Sequence, residues 1–213
     1  MKNFLNMLSY SKYVLFHPFD GFYEIKIRDK GNALFATIFI VILGIIDVLT
    51  VQYAGFMVNY TDPTRINSLT TFFYSIFPYL LFVIANYSTT TLFDGKGRMR
   101  EIYIVIGYSL IPVIMTRIIA LILSHYITGD EIMLYNILLG AGMAWFAILA
   151  FSGLVTIHEY GFFKNIVTLL FTALAIAIIM FLALLFYSLI QQFISFVVVL
   201  YREIVFRVGG WFS

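Results

Sequence analysis

Two ionisable side chains fall where they are hardest to accommodate. Asp47 lies inside the apolar run ALFATIFIVILGIIDVLTVQY, and Arg117 lies inside IPVIMTRIIALIL. A charge in hydrocarbon is costly unless it is paired or has a task, so both are candidate site residues. Their opposite signs and comparable depths suggest a buried ion pair, which either fixes how two helices pack or serves transport or catalysis. A second polar group is Asn86 with Ser88, Thr89, Thr90 and Thr91. Hydroxyls there can bond to their own helix or to a neighbour, and a substrate-lined cavity is the functional alternative. His158-Glu159 begins like the HExxH signature of zinc proteases, but position 162 is Phe, so the second ligand is missing. His17 and His125 are remote in sequence, and Asp47 has no evident second aspartate to form an intramembrane protease dyad. No Gly-rich phosphate loop or serine elbow appears. Cysteine is absent, which excludes disulfides and thiolate metal sites. The expectation is a non-enzyme with no catalytic, cofactor or metal residues and no nucleic-acid partner.

The elements that carry these residues follow from composition. The 213 residues are 62% hydrophobic and 11% charged, against roughly 45–50% and about 25% in soluble domains. An integral membrane protein is the consistent class. Five apolar segments, near 33–58, 71–93, 102–127, 133–157 and 165–190, each supply the roughly 20 residues that cross a bilayer core. Turn and polar signals separate them: NYTDPTRINS, DGKGRMR, TGDE and HEYGFFK. Tyr53, Tyr60, Phe72, Tyr74, Tyr103, Tyr126, Tyr135 and Phe163 gather near the segment ends, as an interfacial belt requires. An open sheet cannot survive in lipid, so the fold class is an all-α, polytopic five-transmembrane-helix bundle. Gly107 and Pro112 should bend the third span. Gly140 with Ala144, and Ala173 with Ala177, have the spacing that permits close helix contact.

Both flanks read as amphipathic. Asn3 to Phe16 forms a short helix with Leu5, Leu8, Leu15 and Phe16 to one side and Asn3, Asn6 and Ser9 to others. Pro18 stops it, and no cleaved signal is read at the N-terminus. In the next segment, His17, Pro18, Phe19, Asp20 and Phe22 lead into Tyr23, Ile25 and Ile27 interleaved with Lys26, Arg28 and Lys30. Rings beside cationic heads suit the membrane interface; the alternative is a connector folded against the protein's own helix ends. At the other end, apolar character resumes after Gln191 and Gln192. A single helix through both parts would far exceed the bilayer, so a break at the glutamines is expected. A surface helix carrying Arg202, Glu203 and Arg207 would follow. A sixth span is the competitor, and it would place Arg202 and Glu203 badly. The division is therefore a 1–32 cytoplasmic segment, a 33–190 five-span domain and a 191–213 outer-surface segment. Lys2, Lys12, Lys26, Arg28, Lys30, Lys96, Arg98, Arg100 and Lys164 fall on one side. Arg65, Asp130, Glu131, Arg202 and Arg207 fall on the other. By the positive-inside rule the N-terminus is cytoplasmic and the C-terminus outside a cell membrane.

The stretch DGKGRMREIYIVIGYSLIP holds Asp94, Gly95, Lys96 and Gly97, then Gly107, Tyr108 and Pro112. Here, and at HPFDGFYEIKIRDKGN, the chain resembles the bacterial branch of the Yip (Ypt/Rab-interacting protein) domain family. The resemblance implies a five-span bundle with a cytoplasmic N-terminus. Eukaryotic relatives are associated with Rab GTPases and vesicle traffic, but this chain lacks their long polar N-terminal region and DLYGP-like motif. The functional expectation is a membrane protein that binds other membrane proteins, as an accessory subunit of a bacterial solute transport system, with the lipid bilayer as its medium. The alternatives are a small transporter or channel using Asp47 and Arg117, and a membrane-shaping protein acting through its flanks.

Overall fold

A computed structural model describes residues 2–28, 30–62 and 66–209, including the side chains of all but residues 2–8, 208 and 209. Arg65, the Lys2 charge and the sidedness of Asn3, Leu5, Asn6 and Leu8 lie outside what is described. The described residues form eight α-helices: α1 (Lys2–Phe16), α2 (Pro18–Arg28), α3 (Ala33–Tyr53), α4 (Ser68–Leu92), α5 (Met99–Ser109), α6 (Ile111–Leu123), α7 (Ile132–His158) and α8 (Phe162–Gly209). Their starts carry recognisable caps. The Asn32 side chain accepts from Leu34 N–H at 2.8 Å, Asn67 accepts from Thr70 N–H at 3.2 Å, and Glu101 accepts from Arg98 N–H at 3.0 Å. Each takes up a donor that has no partner within its helix. Among the described residues, five spans are long and apolar enough to cross a membrane: Ala33–Tyr53, Ser68–Leu92, Met99–Leu123, Gly129–His158 and Phe162–Arg207.

The third span is divided where the sequence indicates. α5 ends at Ser109 and α6 begins at Ile111, with Pro112 in its first turn. Proline has no N–H to give the carbonyl four residues back, and its ring crowds that carbonyl. This divided span is the most buried of the five. α3 comes close enough that a Cβ on Gly107 would lie 2.5 Å from Ala36 Cβ and 2.6 Å from Ala36 Cα. On another side, a Cβ on Gly153 of α7 would lie 2.4 Å from Val105. Tyr108 is fully buried, edge-on to Phe39 at 5.5 Å and to Tyr10 at 6.1 Å.

The N-terminal hairpin departs from expectation. Phe22, placed at the membrane interface by its sequence context, is fully buried, as are Val14 and Ile25. They join the same core as Phe35, Ile104, Val105 and Leu154. The Phe16 ring lies 6.0 Å from Trp145, midway along α7, and Lys26 donates to the Ile157 carbonyl near its end. The hairpin α1–α2 therefore runs beside α7 as part of the bundle. The connector alternative describes its inner face, and Phe19, Tyr23 and Ile27 remain exposed on its outer face. The physical reason is shape. Gly21 lets α2 close on Val14, where a Cβ would meet Val14 Cα at 3.0 Å, so a well-packed apolar face forms within the protein itself.

The break expected at Gln191 and Gln192 is absent. α8 runs unbroken for 48 residues, about 72 Å at 1.5 Å per residue, against roughly 30 Å of hydrocarbon. Bilayer thickness is an external constraint, whereas nothing in YSLIQQFISFV interrupts a helix. The stretch has no Pro or Gly, glutamine is a good helix former, and Gln191 Nε2 donates to the Tyr187 hydroxyl one turn back at 3.0 Å. Only the first turns of α8 pack, with Asn165, Thr168 and Thr172 buried, and every residue from 180 to 207 is exposed.

Substituting Gly107→Val should force α3 and α5 apart and destabilise the bundle by about 1–3 kcal/mol, the usual range for overpacking. A lowered melting temperature in detergent, with Gly140→Val unaffected because no atom lies within 4 Å of that Cβ position, checks this.

Candidate functional site

At one end of the bundle, two loops that are distant in sequence interlock. Asp94, just past α4, and Glu159, just past α7, both adopt left-handed backbone with φ of 55°, ending their helices as αL caps do. Between them sits His158, 1% exposed. A Cβ on Gly95 would lie 2.7 Å from His158 Nδ1 and 2.7 Å from the Tyr160 hydroxyl. A Cβ on Gly97 would lie 2.7 Å from His158 Cε1. Neither glycine has positive φ, so the residue type is set by the approach of the imidazole. Gly97 N–H donates to His158 Nδ1 at 3.2 Å, and His158 stacks on Tyr160 at 5.2 Å. The Tyr160 hydroxyl donates to the Phe93 carbonyl at 3.0 Å, and Lys164 lies 4.6 Å over the Tyr160 ring.

Charge closes the same junction. Lys96 Nζ lies 2.6 Å from one Glu159 oxygen, and Lys26 Nζ lies 3.1 Å from the other. The hydrogen bond from Lys96, and then that from Lys26, hold the Glu159 carboxyl below its ordinary pKa. Burial raises the Tyr160 phenol. Three segments thus meet at one carboxylate. Asp94, Gly95, Lys96 and Gly97 are all in this junction, while His17, Phe19 and Asp20 are exposed and Pro18 begins α2. The stack of His17 on Tyr13 at 5.0 Å is local. In the sequence, His158-Glu159 is legible only as a zinc-protease signature that lacks its second histidine. Its pairing with Gly95 and Gly97 has no local signature, because the contact spans some sixty residues.

Towards the other end, the structure joins Asp47 and Arg117. The Arg117 guanidinium meets one Asp47 oxygen, and the Ser75 hydroxyl donates to the other. The side chains are 28% and 17% exposed, respectively, and line a cavity of about 330 Å³ with Thr50, Thr116 and Tyr135. In the sequence Ser75 carries no signal, because a single serine in an apolar helix is common. The hydroxyl-rich end of α4 behaves as packing. Thr89 and Thr90 donate to carbonyls one turn back, and Asn86 Nδ2 donates to Thr172 of α8 at 3.1 Å.

Membrane-length apolar helices, a core built by close helix approach and a loop junction held by ion pairs define a polytopic, all-helical membrane protein. Within that class, the sequence model of the Yip1 domain matches residues 12–185, and the chain belongs to this family. The matched region takes in α2 and the end of α1, consistent with their place in the core. No curated protein and no solved structure matches the chain.

Asp47→Ala, Arg117→Ala and the double variant should give a coupling of about 1–3 kcal/mol in a double-mutant cycle. Unfolding in detergent measures it, and additive single effects would exclude an energetic link.

Proposed function

We propose that this is a non-enzymatic membrane protein that binds other integral membrane proteins, as an accessory subunit of a bacterial solute-transport system in the cell membrane. One observation carries the reading: α8 extends far past its packing partner α4, with Leu182, Leu185, Phe186, Phe193, Val197 and Phe206 all exposed. An apolar helix more than twice the bilayer thickness, with so few of its residues held by its own chain, fits a helix that packs against a partner. The charged junction supports the orientation. Lys26, Lys96 and Lys164 cluster at the end where Glu159 lies, as cytoplasmic flanks do. The 191–213 segment would then lie outside. Membrane shaping has less support, since Val14 and Leu15 of the N-terminal helix are core residues. Transport finds its own support in the Asp47–Arg117 cavity.

Affinity purification in mild detergent should recover a stoichiometric membrane-protein partner with the whole chain. It should lose that partner when the chain is ended after Ile190, with the melting temperature kept. Repeated recovery of the chain alone overturns the reading. Orientation is checked by Lys96→Cys, at a side chain 66% exposed, which an impermeant thiol reagent should label only in opened cells. Tyr126→Cys, 80% exposed at the far end, should be labelled in intact cells.

A further inference from the structure

The Asp47–Arg117 pair borders open space instead of being enclosed by its own chain. A buried pair that only fixes packing has its remaining donors and acceptors satisfied by protein, because desolvation otherwise outweighs the attraction. Here both Asp47 oxygens are engaged, one by Arg117 and one by Ser75. A guanidinium has five N–H donors in a planar fork. Arg117 pairs with Asp47 through one arm of that fork and shares the cavity wall with Tyr135. The cavity that the Arg117 side chain lines is about 330 Å³, the low end of the size range of ligand sites.

The wall chemistry narrows the occupant. Thr50, Thr116 and Tyr135 place hydroxyl-bearing side chains around the ion pair, whereas Val113, Ala120 and Leu139 are apolar. The site's own formal charge is zero. An anion alone would leave the trio with a net negative charge at low dielectric, and a cation alone a net positive one; each is costly there. A ligand carrying both signs leaves the sum at zero and offers each partner its complement. Space for it is present beside Gly140, a wall residue whose Cβ direction is open.

We propose that this cavity is a binding site for a small zwitterion, with its anionic group against the Arg117 guanidinium and its cationic group against the Asp47 carboxylate. The inference is independent of the partner-binding reading and does not use α8. The chemistry has two sources, the ethanolamine headgroup of a phospholipid and a water-soluble amino acid, and the test separates them.

Full-length protein in detergent is titrated with short-chain phosphatidylethanolamine, with phosphatidylglycerol of the same chains and with glycine, and binding is followed by calorimetry. At least one zwitterion should bind saturably, with phosphatidylglycerol weaker by about tenfold or more. Binding of phosphatidylethanolamine identifies a lipid headgroup, and binding of glycine a soluble ligand. Two variants locate the site. Gly140→Leu adds bulk at the cavity wall while leaving the ion pair, and Asp47→Asn with Arg117→Gln removes both charges without orphaning either. Both should keep the fold, seen as an unchanged helical circular dichroism spectrum, and lose binding. Equal affinity for phosphatidylglycerol, no saturable binding of either zwitterion, or binding that survives in either variant overturns the proposal.

Discussion

The close approach of α5 to two neighbours at once is the constraint on which the rest of this bundle depends. Lipid tails are as apolar as leucine, so burying apolar side chains supplies little drive for helices to associate within a membrane. Dense packing must supply it, and density needs small residues where backbones meet. Gly107 against Ala36 brings in α3, and Gly153 against Val105 brings in α7. With α5 held from both sides, Tyr108 becomes a buried wedge between Phe39 and Tyr10. Through Tyr10, whose hydroxyl donates to the Gly21 carbonyl at 2.6 Å, the N-terminal hairpin is tied to the same centre.

The division of the third span extends this arrangement. A straight helix through Pro112 would keep one packing direction along its length. The interruption at Leu110 lets α5 serve the charged end while α6 packs on α7 further along, where a Cβ on Gly142 would collide with Thr116 Oγ1 at 2.1 Å. Arg117, one residue after that contact, reaches across to Asp47 of α3, whose other oxygen accepts from Ser75 of α4. The ion pair is thus set by three helices, α3, α4 and α6.

The charged end has a dual character. Lys26 and Lys96 contribute to the positive charge at this end of the bundle, and they also hold Glu159 and so tie two loops to α2. The glycines of the DGKG loop make room for one imidazole, so a motif that looks like a flexible turn is a fitted contact.

The sequence determined this protein's class, its spans and its interrupted third helix, because each follows from local properties: apolar length, capping side chains and the missing N–H of Pro112. It also paired Asp47 with Arg117, since charge in hydrocarbon permits few alternatives. Only the tertiary structure decided that Phe22 and the hairpin belong to the core, that His158 fits between Gly95 and Gly97, and that Ser75 completes the ion pair. Those contacts join residues whose spacing along the chain carries no signal. The unbroken α8 teaches the converse. Bilayer thickness alone would require a break at Gln191 and Gln192, but a helix ends where its backbone hydrogen bonding fails, and nothing in that stretch makes it fail.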